Sequence, residues 1–351
     1  MSASPLARIV LLVYVLLVAY ASLYPLAGWR TVGLSPFAYL SAPWPRYVTA
    51  FDVAVNLIGY VPYGFLAVAA LHPRVRGAAA FALAVASAIV LSLALEAGQS
   101  YLPARFATNL DVLCNLGGAA LGAAFGLRFG PLIAGGPLHE RRAAAFLPGV
   151  EIDLGLVLVG LWLLVQLNPA TLLFGAGDLR DFLAPSEGPA RRPEFFVSIE
   201  TFTTAANLIA VGLLLSVLAA PGWPARAMFG WLVIAALAVK TAAFAILMRA
   251  ENVFAWLTHG AGFGLVAGIT LALVAMAAPR TARLAIAAVL LMAATVLVNL
   301  TPPNPYLADS LKVWQQGHFL NFNGLTRLVS ALWPFFAMGY LIYLAARRRI
   351  E

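Results

Sequence analysis

Between residues 96 and 115 the chain reads EAGQSYLPARFATNLDVLCN, and its carboxylates and amides fall at spacings that a helix places on one face. Glu96 and Gln99 are three apart, Asp111 and Asn115 four apart, and upstream Asp52 and Asn56 repeat the four-residue spacing. Arg105 lies in the short stretch between the first two pairs. Residue types in this order suit recognition of a polar headgroup. Arg105 would clamp an anion, Gln99, Asn56, Asn115 and Asp52 would hydrogen-bond the head, and Glu96 with Asp111 would supply acid or base. Two close carboxylates raise one another's proton affinity, which suits proton transfer near neutral pH. No nucleophile, metal set or phosphate loop accompanies them, so binding and catalysis both stay open, and the pattern calls for no cofactor and no metal.

Such residues need something to hold them, and the composition says what. Of 351 residues, 62% are hydrophobic and 10% charged, whereas a soluble domain carries roughly 25% charged residues. The chain is expected to be an integral membrane protein. A spanning helix needs about 20 apolar residues, and about ten stretches qualify: 8–27, 53–71, 78–98, 109–130, 151–167, 203–220, 228–247, 253–277, 283–300 and 328–346. They are rich in Ala, Leu and Gly without alternation, which suits helices and excludes outer-membrane strands. The expected fold is all-α, a polytopic membrane helix bundle of about ten transmembrane helices. The first stretch is read as an uncleaved span, because ASLYPLAGWR is a poor cleavage site.

The net charge of +8 follows topology rather than a nucleic-acid partner. Arg74 with Arg76, Arg141 with Arg142 and Arg347 to Arg349 fall on short segments of one side, as the positive-inside bias requires. Both termini are then cytoplasmic, in a plasma (inner) membrane, and the polar cluster is extracytoplasmic. The long loops at roughly 28–50, 168–200 and 301–326 share its side, their Trp and Tyr residues suiting the interface. Cys114 is the sole cysteine and excludes an intrachain disulfide.

A faint repeat runs through the chain. NLIGYVPYGF at Asn56 is echoed by NLIAVGLLLS at Asn207, and NLGGAALG at Asn115 by HGAGFGLVAG at His259. The expected organisation is a degenerate parallel repeat: a four-helix unit at 1–135, a second at 136–280 and a two-helix partial third at 281–351. Lys240 stands where the first copy has Glu96, and Ala255 where it has Asp111. The active copy is therefore expected to be the first. Lys240 and Arg249 are expected to pair with Glu251 or to snorkel, and His259 to be a satisfied core histidine. Gly118, Gly122 and Gly126 recur every four residues and suit close helix packing.

Plainer roles stay open for part of the cluster. Asp52 and Asp111 sit where helix dipoles favour carboxylates, and Asn56 and Asn115 suit interhelical hydrogen bonds. Glu96, inside an apolar helix, has no such role, and an ionisable residue there marks a functional site by default.

Asn56 with Pro62 and Gly64, Glu96 and Gln99, Arg105, and Asp111 with Asn115, Gly117 and Gly118 together resemble the VanZ-like family over about the first third of the chain. The founding members of that family are associated with resistance to glycopeptide antibiotics of the teicoplanin kind. The resemblance implies an envelope protein that binds or modifies an amphiphilic, lipid-linked or glycopeptide-type molecule reaching it through the bilayer. A transporter or flippase for an envelope lipid, and a non-catalytic assembly or shielding protein, are the alternatives.

Overall fold

The structure, a computed structural model, describes residues 5–31, 33, 35–134, 136–180, 192–248, 252–304 and 320–347. Eleven helices carry the described fold: α1 (Pro5–Leu23), α2 (Ala50–Leu71), α3 (Gly77–Gln99), α4 (Asn109–Ala134), α5 (Pro137–Ala145), α6 (Val150–Val165), α7 (Pro193–Leu218), α8 (Ala225–Leu247), α9 (His259–Ala275), α10 (Arg280–Leu300) and α11 (Leu320–Arg347). It is a polytopic all-helical bundle. Eight of the helices are long and apolar enough to cross a membrane. The other two expected spans are shorter: α6 has 16 residues and α9 has 17. At 1.5 Å per residue each falls short of the roughly 30 Å hydrocarbon core. The nine-residue α5, opened by Pro137 in its first turn, was not expected at all.

The chain divides into two compact units, Met1–Asp153 with Leu320–Leu325, and Leu154–Phe319 with Thr326–Glu351. In the first unit small side chains make the interior. Ala80, Ala84 and Ala88 of α3 and Ala119 and Ala123 of α4 pack with Tyr60, Tyr63, Ala67 and Val68 of α2. The larger apolar residues, such as Ile58, Leu83, Val90 and Phe125, point outward, as expected where the surrounding solvent is lipid. Apolar burial gives no drive between helices there, so contact comes from shape.

The closest fit is α4 against α2. A methyl at Gly118 would collide with the Leu57 carbonyl oxygen, and one at Gly122 with that of Val61; Gly64 returns the contact against Ala119. The expected packing role of the glycine stripe is thus met by backbone on both sides. We expect Gly122→Val to lower stability by about 3 kcal/mol or more, because neither backbone can move aside without shifting a whole helix. Gly130→Ala, which meets nothing within 4 Å, serves as the control in thermal unfolding of the purified protein.

The second unit is built around α7, whose residues from Thr203 to Leu218 are all buried. A helix apolar all round belongs in a bundle centre. Its near partner α9 repeats the glycine device: methyls at Gly260 and Gly264 would stand 2.8 Å from the Val197 oxygen and 2.7 Å from the Thr201 oxygen. In this packing Val197 takes the place that Leu57 has in the first unit. Asn207 therefore lies about three turns further along its helix than Asn56 does. After α6 the chain makes a tight turn, with Trp162 against Phe174 at 5.2 Å between ring centroids. Residues 177–180 are tied to the end of α10: Asn299 Nδ2 donates to the Gly177 oxygen at 2.6 Å, and Arg180 donates to the Thr301 oxygen at 3.0 Å. Asp178 is held below its ordinary carboxylate value. Burial works against this, and the hydrogen bonds and charge of Arg180 outweigh it.

Two expectations are corrected in this unit. Lys240 does not snorkel: it is fully buried, and its Nζ donates to the oxygens of Asn168 at 2.8 Å and Thr171 at 3.0 Å. His259 is not a core residue but stands exposed at the start of α9. Arg249 and Glu251 lie outside the described residues.

Candidate functional site

In the first unit α3 runs apolar until its last turn, where Glu96 and Gln99 are 3% and 5% exposed. The next helix starts at Thr108, whose hydroxyl accepts from the Asp111 N–H at 3.0 Å, the bond expected of an N-cap. The backbone N–H of Thr108 donates to Glu96 Oε2 at 3.0 Å. The carboxylate ending α3 is thereby fixed at the N-terminal, electropositive end of α4. Asp111 faces α2, where Asn56 Nδ2 donates to its Oδ1 at 2.5 Å. One turn deeper, Asn115 Nδ2 donates to Ser92 Oγ on α3 at 2.9 Å, while its Oδ1 is buried without a partner.

Arg105, in the loop between α3 and α4, is half-buried and within Coulombic range of Glu96 and Asp111. Its Nε is buried with no hydrogen-bond partner. Burial pulls its pKa below the ordinary value against the opposing pull of the two carboxylates, and the guanidinium stays charged at neutral pH. The loop before α2 folds over this end. Ser100 Oγ donates to the Pro36 oxygen at 3.0 Å, Asn109 Nδ2 to the Ala42 oxygen at 2.8 Å, and the buried Tyr39 hydroxyl to the Leu93 oxygen at 3.2 Å. Burial, and then the charge of Glu96, pushes the Tyr39 phenol above its usual pKa.

The structure thus gathers Glu96, Arg105, Asp111, Asn56 and Asn115 at one end of three helices. Asp52 and Gln99 make their hydrogen bonds elsewhere. Asp52 closes a capping box with Thr49 at the start of α2 and is exposed; Gln99 donates to the Ser22 oxygen of α1 at 3.2 Å. Thr108, Ser92 and Tyr39 were not anticipated. The spacing of Thr108 and Asp111, the opening of a capping box, marks the first, whereas nothing in the sequence points Tyr39 at Glu96. Among the described residues no group of three His, Cys, Asp or Glu side chains is placed to hold a metal ion.

A helical membrane bundle with a buried carboxylate, a second carboxylate and an incompletely bonded arginine under a folded loop defines the class: a polytopic membrane protein with a polar site at one helix end. Residues 9–130 match the VanZ/LLP1 family model, and α1 to α4 are accordingly a VanZ-like domain. No curated protein and no solved structure matches the chain.

Proposed function

We propose that this VanZ-like protein acts at the extracytoplasmic leaflet of the plasma membrane, binding or modifying an amphiphilic envelope molecule of lipid-linked or glycopeptide type. The observation carrying this reading is the state of Arg105 beside Glu96: a buried guanidinium nitrogen without a partner, next to a carboxylate anchored by one N–H. Arg105 takes the anionic part of the head. Glu96 or Asp111 takes or gives a proton, and Asn56 and Asn115 orient the head. The tail stays in lipid along the outward faces of α2 to α4, which carry Ile58, Leu83, Val90 and Phe125. Deleting the gene should make one headgroup class accumulate in lipid and wall-precursor profiles, and re-expression should reverse it. An unchanged profile across every class would reject the proposal.

The same reading places both termini in the cytoplasm. In a Cys114→Ala background, Tyr47→Cys should react with an impermeant maleimide in intact cells and Arg141→Cys only after lysis. Both positions are exposed, so equal labelling of the two would overturn the sidedness.

A further inference from the structure

The second unit holds a cavity of about 210 Å³ that the Glu96 cluster does not share, lined by residues around Glu200, Trp256, Thr258 and His259. Glu200 is 7% exposed although it lies on a membrane-spanning helix, and such a carboxylate is a functional feature by default. The Thr258 hydroxyl lies against it, and Gly260 comes so close that a methyl there would stand 2.6 Å from Glu200 Oε2. Trp256 is 9% exposed, and its Nε1–H, buried in the cavity wall, has no hydrogen-bond partner. Exposed His259 and Thr258 also line the cavity, which brings it to the surface.

We infer that this cavity binds a neutral, hydroxyl-rich ring of the sugar type. The lining selects the chemistry. The Trp256 N–H needs an acceptor, which an ammonium group cannot offer. Glu200 has one donor in Thr258 and lone pairs left for a second, and it repels phosphates and carboxylates. A hydroxyl is both donor and acceptor, and a ring bearing several satisfies both walls at once. The remaining lining, Phe196, Phe244 and Trp256 among it, offers aromatic faces for the apolar side of such a ring. Lys240, packed over the Phe244 ring at 5.7 Å, adds positive charge behind that wall and further disfavours an ammonium. At about 30 Å³ per water the space holds roughly seven waters, the scale of one monosaccharide.

The ring has two possible sources, a glycolipid head or a free sugar. The test uses the full chain in a polyoxyethylene detergent, titrated in separate arms with octyl glucoside below its micelle concentration and with glucose, and followed by thermal stability. Saturable stabilisation by the glucoside alone identifies a lipid-borne sugar, and by glucose as well a soluble one; either bears the inference out. Trp256→Phe, which keeps the ring and deletes the donor, should weaken binding about tenfold, and Glu200→Gln ten- to hundredfold. Trp231→Phe, 71% exposed, should leave it unchanged. The inference is overturned by saturation in neither arm, by Trp256→Phe binding as wild type does, or by stronger stabilisation from an octyl trimethylammonium salt.

Discussion

Glu96→Gln should abolish complementation of a deletion strain while the protein accumulates to near its normal level. The amide oxygen of Gln still accepts from the Thr108 N–H that now bonds Glu96 Oε2, so the joint between α3 and α4 survives. What disappears is the ability of the group beside Arg105 to exchange a proton. Glu96→Leu separates architecture from chemistry. It leaves the Thr108 N–H without an acceptor, at a cost of about 1–3 kcal/mol, and its level in immunoblots of membranes should fall. Full complementation by Glu96→Gln at normal expression removes the acid/base role and leaves Glu96 as interhelical glue.

The second large effect is expected at Lys240. Its ammonium lies beyond the C-terminal end of α6, where it donates to the Asn168 oxygen three residues past that end and where the dipole favours a cation. It also donates to the Thr171 oxygen at 3.0 Å and to Thr171 Oγ1 at 3.2 Å. Lys240→Met fills a similar volume but leaves the Thr171 oxygen without a donor and the Asn168 oxygen with the Thr171 hydroxyl alone, costing about 1–3 kcal/mol for the stranded group. Lys240→Gln, with one amide group to offer, should fall between Met and wild type. Thermal unfolding of the three proteins gives the order; wild-type stability in Lys240→Met would show that the buried charge costs as much as its bonds return.

That expectation reverses what the sequence alone implied for Lys240, and the reason is general. A lysine in an apolar helix reads as a snorkelling side chain because its partners are main-chain oxygens some seventy residues away, and backbone oxygens leave no mark in a sequence. The polar cluster was far more legible, since helical spacing groups carboxylates and amides by face. Spacing gave the faces but not the partners: Asp111 and Asn115 share one side of α4, yet one bonds Asn56 on α2 and the other Ser92 on α3. Asp52 had a local use as an N-terminal cap, and the structure gives it that use. Helix positions were clear from hydropathy, while α6 and α9 came out short because turns end them, Thr258 capping α9 and i+3 bonds closing α6 at Gln166 to Asn168. Hydropathy averages over such turns.

The furrow between α2 and α4 also sets an order for biogenesis. The two helices that fit most closely are not consecutive, because α3 emerges between them. A ribosome-bound chain that has delivered α2 and α3 still lacks the glycine ridge of α4, so the α2 backbone around Leu57 and Val61 has no mate. The VanZ-like domain becomes complete only when α4 leaves the insertion machinery and slots between two helices already in the bilayer. Glu96 receives the Thr108 N–H at that same moment. Until then its carboxyl group lacks that bond.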